Sequence, residues 1–279
     1  MNDQLGERMK SQYEHRTRYY LPRRTYTIIR LDGKAFHTYT KNLEKPFDAG
    51  FIDDMNETAK YLCENVQGCK FGYVQSDEIS LLLTDFDTIT TDSWFDGNIQ
   101  KIVSISSSLA TAEFNQLRLM RFTDKNSVPR FPCGNISSVC NSEDILNFKL
   151  AVFDSRVFTI PDRTEVENYF IWRQQDAVRN SIQSLAQSKF SHKELEKKNT
   201  SQLQEMIFQK DGTNWDKLDC GLKRGRMVVK KDELRTTDSN TGEKLYSSVW
   251  VVKSADNFTS PSESIDYHRK ISLYIPKYE

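Results

Sequence analysis

The sequence is poor in the residues that build disulfide or zinc scaffolds. It has five cysteines, Cys63, Cys69, Cys133, Cys140 and Cys220, and no Cys-x-x-Cys pair. Four histidines accompany them, none beside a cysteine at zinc-finger spacing, so a structural zinc site is not expected. The odd count fits free thiols in a reducing cytosol better than a disulfide framework. No apolar run approaches the roughly 20 residues that a membrane span needs. The opening stretch, Met-Asn-Asp-Gln-Leu-Gly-Glu-Arg, lacks the apolar core of a secretion signal. The expectation is a soluble, cytoplasmic protein with no membrane partner. Net charge is also absent, since 39 Lys and Arg are matched by 39 Asp and Glu. A nucleic-acid partner is therefore not announced by bulk electrostatics and would need a local basic surface. Internal repeats and low-complexity linkers are missing too.

What is present is enough chain, 279 residues, to bury the core of one large domain or two small ones. Residues 26 to 31, Tyr-Thr-Ile-Ile-Arg-Leu, predict a buried strand that stops at a turn at Asp32-Gly33. Phe51, Met55, Ala59, Leu62, Cys63 and Val66 recur every three or four residues, as one face of a helix does. Residues 71 to 83 place apolar runs on either side of Gln75-Ser76-Asp77-Glu78, the pattern of a hairpin with a polar tip. A second helical face carries Ile99, Ile102, Val103, Ser106, Leu109, Ala110 and Phe114, and residues 151 to 160 predict a strand stopped by Pro161. This order is βαββαβ, an α+β arrangement of the ferredoxin-like kind. Beyond it, 163 to 190 and 192 to 209 predict helices, and 226 to 252 a strand pair turning near Asp238 to Gly242. The stretch 120 to 150 is rich in turn residues and carries no clear element.

In that arrangement the end of the first strand and the hairpin tip lie side by side, which gathers Asp32, Asp77 and Glu78. Two carboxylates about 4 Å apart repel by roughly 4 kcal/mol at an effective dielectric near 20, so such a cluster favours a cation. Hard cations take these oxygen ligands, and Mg²⁺ keeps positions open for water and phosphate. Two such ions would stabilise the entering and leaving oxygens of a phosphoryl displacement. The competing reading is that Asp32 and Asp77 are ordinary turn residues. Gly33 would let a ligand approach the backbone. The amides of Lys34 to His37 would form an anion cradle, Lys34 would add charge, and Phe36 would pack beneath or simply belong to the core.

Taken together, Arg30-Leu31-Asp32-Gly33-Lys34-Ala35-Phe36-His37, Lys45-Pro46-Phe47-Asp48 and Gln75-Ser76-Asp77-Glu78 resemble the tRNA-His guanylyltransferase family. Residues 169 to 176, Tyr-Phe-Ile-Trp-Arg-Gln-Gln-Asp, resemble its Trp-Arg-Gln-x-Asp segment, and Arg224-Gly225 a late Lys-Gly turn. The resemblance implies a polymerase-type palm over 1–160, with a helical and β region over 161–279 that packs on it and carries additional helices and a C-terminal β hairpin. It implies two Mg²⁺ ions held by Asp32, Asp77 and the carbonyl of Gly33, with Glu78 in support. Arg30, Lys34, Ala35, Phe36, His37 and Ser76 match nucleotide-contacting positions, and Lys45 and Asp48 match positions near the nucleotide or 5′-end phosphates. ATP and GTP are the implied substrates, tRNA the implied partner, and a homotetramer the implied assembly. The implied chemistry activates a tRNA 5′ phosphate with ATP, and the 3′-hydroxyl of an incoming nucleotide then attacks it, so that growth runs 3′ to 5′.

One departure matters. Residues 178 to 181 read Val-Arg-Asn-Ser, where the guanylyltransferases proper carry His-Ile-Asn-Asn. That resembles the guanylyltransferase-like branch, which repairs shortened 5′ ends by copying the opposite strand. Templated repair is the expectation, and non-templated guanylate addition to tRNA-His is its nearest rival. Two more distant rivals are a nucleotidyl cyclase, whose tip would read Gly-Gly-Asp-Glu-Phe, and a non-catalytic RNA-binding module. Candidate RNA contacts are Arg173, Gln174 and Asn180, and the basic run Lys223, Arg224, Arg226, Lys230 and Lys231. A second cluster mixes Arg16, Arg18, Arg23 and Arg24 with Tyr13, Tyr19 and Tyr20. Both clusters also suit solvated faces.

Overall fold

A computed structural model of the protein describes residues 4–125, 149–237, 244–264 and 267–278. Strands β1 (Tyr26–Gly33), β2 (Cys69–Gln75), β3 (Glu78–Leu83) and β4 (Phe153–Ile160) alternate with helices α3 (Ala49–Asn65) and α4 (Ile99–Lys125). Two short helices precede α3: α1 (Gln4–Met9) and α2 (Phe36–Tyr39). The sheet order is β4-β1-β3-β2, all antiparallel, the ferredoxin-like arrangement. Strands β5 (Arg226–Thr237) and β6 (Lys244–Ser254) add themselves beyond β2 to complete six strands. Helices α5 (Arg163–Gln187), α6 (His192–Leu195), α7 (Thr200–Asp211) and α8 (Cys220–Arg224) fill the second half.

The sheet is covered on both sides, which is why its strands read as nearly unbroken apolar runs. Ile29, Leu31, Val74, Ile79 and Leu81 face a core with Met55, Leu62 and Phe114 of α3 and α4. Ile28, Phe71, Tyr73 and Leu82 face the other way, against Val166 and Phe170 of α5 and the C-terminal Phe258 and Ile271. A smaller cluster joins Ile182 and Leu185 of α5 to Leu203 and Ile207 of α7, with Trp215.

Two boundaries differ from the sequence reading. Strand β1 does not stop before Asp32-Gly33. Asp32 pairs with Glu78 on one side and Asp154 on the other, and Gly33 pairs with Phe153. Ladder partners on both edges outweigh the local turn preference of Asp-Gly. The helix expected over 192 to 209 is two helices, because Asn199 caps α7 in a capping box with Gln202. The expected turn near 238 to 242, the turn-rich centre of 120 to 150, and Cys133 and Cys140 lie outside the described residues.

Candidate active site

The site begins with strand register. Side chains alternate along β1, so Ile29 and Leu31 enter the α3–α4 core while Arg30 and Asp32 project toward α5. Directly across the ladder, Glu78 opposes Asp32 and Ser80 opposes Arg30. The β2–β3 hairpin connects through two residues, Ser76 and Asp77. Ser76 sits in the left-handed region at φ 48°, a strained conformation for a non-glycine residue. The Gly33 amide donates to the Asp77 carbonyl at 3.1 Å, which pins the hairpin tip to the end of β1. Two aspartates 45 positions apart in sequence thus share one wall of a cavity of about 460 Å³, with Arg30, Glu78, Trp172 and Asp176 among the other linings.

Phe36 packs behind the end of β1, in the core on the α3–α4 side of the sheet. Its ring is buried among Tyr39, Phe51, Phe114 and Phe153, with centroid separations of 4.9 to 6.0 Å. A Cβ at Gly33 would meet the Phe36 ring at 2.3 Å, so glycine is required for the end of β1 to lie on that ring. Ala35, at φ 56°, turns the chain from β1 into α2. The expected amide cradle is shorter than the sequence suggested, because the Lys34 amide donates to the Val152 carbonyl at 2.8 Å. The Lys34 side chain and His37 are exposed, and His37 Nε2 lies 3.0 Å from the Thr38 hydroxyl.

The acids are held at a cost. Burial raises the Asp32 carboxyl above its ordinary range and Asp154 adds to the shift, against the pull of Arg30, Arg156 and Arg173. Burial raises Asp77 as well, while hydrogen bonds from Ser76 and its own backbone oppose the shift and Asp32 reinforces it. Glu78 is raised by burial and lowered by Arg173 and Arg30. Its carboxylate is taken by Arg173 Nε at 2.9 Å, with Arg30 Nε at 3.7 Å, so Glu78 positions two guanidiniums. Among the described residues, no three His, Cys, Asp or Glu side chains converge as a metal cage. The donors suited to a cation are the carboxylates of Asp32 and Asp77. Mg²⁺ commonly takes one or two carboxylates and completes its shell with water and substrate phosphate, so this pair suits it.

A second pocket, of about 160 Å³, opens on the other side of the hairpin tip. Lys45, Phe47 and Asp48 line it, and it shares Gln75, Ser76 and Asn180 with the first. Asp48 caps α3, accepting from the Phe51 amide at 2.7 Å, and Lys45 Nζ donates to the Thr40 carbonyl at 3.0 Å.

The expected RNA contacts divide into buried and exposed groups. Lys223 is buried and donates to the Asp216 carbonyl beneath Trp215. Arg226 is buried against Asn56. Gln174 is buried, accepting from the Phe258 amide at 2.8 Å and donating to the Asp256 carbonyl at 2.7 Å. Arg173 is buried between Glu78 and Asp176. These four side chains, three of them basic, are buried inside the fold and do not form an exposed surface. Arg224 and Asn180 are partly exposed, and Lys230 and Lys231 are exposed. In the N-terminal cluster, Arg23 pairs with Asp92 at 2.8 Å and Arg24 donates to the carbonyls of Thr88 and Ile89, while Tyr13, Tyr19 and Tyr20 stay exposed.

Sequence reasoning missed two residues. Asp154 faces Asp32 across β4, and its only signal was its place in a strand whose neighbours were unknown. Trp172 is half exposed at the cavity rim, with the Arg173 guanidinium 4.1 Å and that of Arg30 5.9 Å from its ring.

The same combination of fold and motifs occurs in known proteins. Residues 6–161 match the tRNAHis guanylyltransferase (Thg1) family. An uncharacterized protein of Acanthamoeba polyphaga mimivirus is 29% identical over 85% of this chain and 80% of its own length. The tRNA(His) guanylyltransferase of Debaryomyces hansenii is 27% identical over 80% of this chain and 81% of its own. Among solved structures, a bacterial tRNA(His) guanylyltransferase (Thg1)-like protein in complex with ATP is 40% identical, with a TM-score of 0.72 over 89% of this chain and 91% of that one. A bacterial Thg1-like protein in complex with GTP is 38% identical, with a TM-score of 0.70 over 92% and 94%. With the family match spanning more than half its length and the palm assembled around Asp32 and Asp77, the chain belongs to the tRNAHis guanylyltransferase (Thg1) family.

Proposed function

We propose that this protein is a Mg²⁺-dependent nucleotidyltransferase that extends the 5′ end of tRNA in the 3′-to-5′ direction, by templated repair of shortened ends. One observation carries the reading: β1–β3 register brings the desolvated carboxylates of Asp32 and Asp77 to one cavity wall beside Arg30. Relatives named tRNA(His) guanylyltransferase, and bacterial neighbours in complex with ATP and with GTP, support it. Phosphoryl transfer is driven chiefly by positioning and charge neutralisation, which suits a site with no evident general base.

Bound between the two aspartates, Mg²⁺ would neutralise phosphate charge and acidify the attacking hydroxyl. The protein's own residues do the rest. Arg30, steadied by Glu78, presents a guanidinium to the phosphates. Lys34 and His37, both exposed, would meet phosphate charge from the solvent side, and Lys45, Asp48 and Ser76 line the adjoining pocket for the nucleotide. In the first step a tRNA 5′-phosphate oxygen attacks the α-phosphorus of ATP and pyrophosphate leaves. In the second, the 3′-hydroxyl of the incoming nucleotide attacks the tRNA 5′ phosphorus and AMP leaves. The hydroxyl proton goes to solvent.

The test is incorporation of labelled nucleotide into a tRNA lacking its first residue, with Mg²⁺. Asp77→Ala is expected to lower kcat/KM by about 100-fold or more, the scale for losing a charge-stabilising group. Equal turnover in both proteins refutes the assignment. Products sequenced with each base placed opposite show whether the added nucleotide follows its partner; guanylate regardless of partner would replace repair with non-templated addition. Sedimentation of the same preparation is expected to give a four-chain mass.

A further inference from the structure

The chain has four tryptophans, and three of them serve the interior. Trp94 is buried in the core beneath α3 and α4, Trp250 packs against that core, and Trp215 is buried in the small cluster of α5 and α7. Trp172 differs. It is 51% exposed and belongs to none of the three apolar clusters. It lies on α5, where Trp172, Gln175, Asp176 and Arg179 recur every three or four residues and line the cavity that holds Asp32 and Asp77.

The ring is braced. The Arg173 guanidinium lies 4.1 Å from its centroid, and the Tyr169 ring meets it edge-to-face with centroids 6.0 Å apart. Arg173 and Tyr169 are buried while Trp172 is half open, so the ring is held from the protein side and keeps its free surface at the cavity. An indole in that position leaves apolar area in water and covers no core in return. Its π surface suits a flat ligand that can stack. Arg179, two turns on along the same helix face, is exposed and suits a phosphate, although it is paired with Asp176. A nucleobase on an RNA strand has both features.

The reaction narrows the choice of base. In a tRNA with a shortened 5′ end, the 5′-terminal base is still paired, and the outer face of that pair is where the incoming base must stack. The base across the gap, on the opposite strand, has lost its partner and must be held in plane to select the next nucleotide. We propose that Trp172 stacks on this unpaired templating base and holds its pairing edge toward the incoming nucleotide. The proposal rests on the templated-repair reading for the presence of a gap, and adds the residue that orients the template. Stacking tolerates every base, because each has a π face, so one indole serves ends of any sequence.

The test is equilibrium binding, by fluorescence anisotropy, of the full-length protein to a tRNA lacking its first nucleotide, with Mg²⁺ and without triphosphate. Opposite the gap the tRNA carries either a base or an abasic ribose. The wild type is expected to bind the base-bearing form about tenfold more tightly, the scale of one base–aromatic stack. Trp172→Leu is expected to cut that ratio to about twofold or less, and Trp172→Phe, with its smaller ring, to leave an intermediate value. The ratio is taken within each protein, so a lower folded fraction does not change it. If Trp172→Leu does not fold, the wild-type and Trp172→Phe ratios decide. A wild-type ratio near one, a ratio that survives undiminished in the variants, or a larger loss from an abasic ribose at the paired 5′ terminus would overturn the proposal. No nucleotide is transferred in this assay. A protein whose ratio depends on Trp172 but which fails to extend tRNA refutes the reaction and leaves the stacking standing; one that extends tRNA with the ratio indifferent to Trp172 does the reverse.

Discussion

Arg173 illustrates how a charged residue at a catalytic rim can belong to the fold. Its guanidinium bonds Glu78 at 2.9 Å and Asp176 at 2.5 Å, and its side chain is only 6% exposed. Removing one partner of a buried pair leaves a charge that nothing compensates. Arg173→Met is therefore expected to destabilise the protein by about 3–5 kcal/mol, read from the denaturant midpoint. Adding Glu78→Gln should recover part of the loss, because no unpaired buried carboxylate then remains. A neutral effect of Arg173→Met would mean that Arg30 alone, at 3.7 Å, balances Glu78. A lysine has one charged head in place of a fork and cannot bridge both acids with the same geometry, so Arg173→Lys should rescue poorly.

At the scale of elements, β1 lies on the Phe36 ring and the hairpin tip is pinned to its end. Gly33→Ala would drive a Cβ into Phe36. Overpacking of that kind costs typically about 1–3 kcal/mol. Because the displaced backbone carries Asp32, turnover should fall further than the melting temperature suggests; activity falling only in proportion to the folded fraction would contradict this. How far such elements can be read from sequence varies. The βαββαβ order, and with it the meeting of Asp32 with the hairpin tip, follows from apolar periodicity and needed no coordinates. The true end of β1 does not, since Asp32 and Gly33 are held by partners from two other strands. The break before α7 was written in Asn199 and Gln202, a capping pair inside what passed for one continuous helix. The fate of the basic run was hidden for another reason. Charge along a sequence says nothing of the Trp215 ring that covers Lys223, or of Asn56, 170 positions from its partner Arg226.

Across the whole molecule, three carboxyls of the site, Asp32, Asp77 and Glu78, hold their protons more tightly folded than free. Such groups favour the fold below their ordinary range, and that contribution is lost as pH rises through the raised folded values. At neutral pH these carboxylates thus carry a strain that a divalent cation bound between Asp32 and Asp77 would relieve. The melting temperature should rise with Mg²⁺ at pH 7.5 and rise less at pH 5. Asp77→Asn should melt higher than the wild type without Mg²⁺ and gain little from it. A Mg²⁺ response of the same size in both proteins would place the cation elsewhere. The hairpin tip has a further consequence. Gln75, Ser76 and Asn180 are a partition between two compartments, so neither chamber can be reshaped privately. A bulkier residue at Ser76 would narrow both cavities at once.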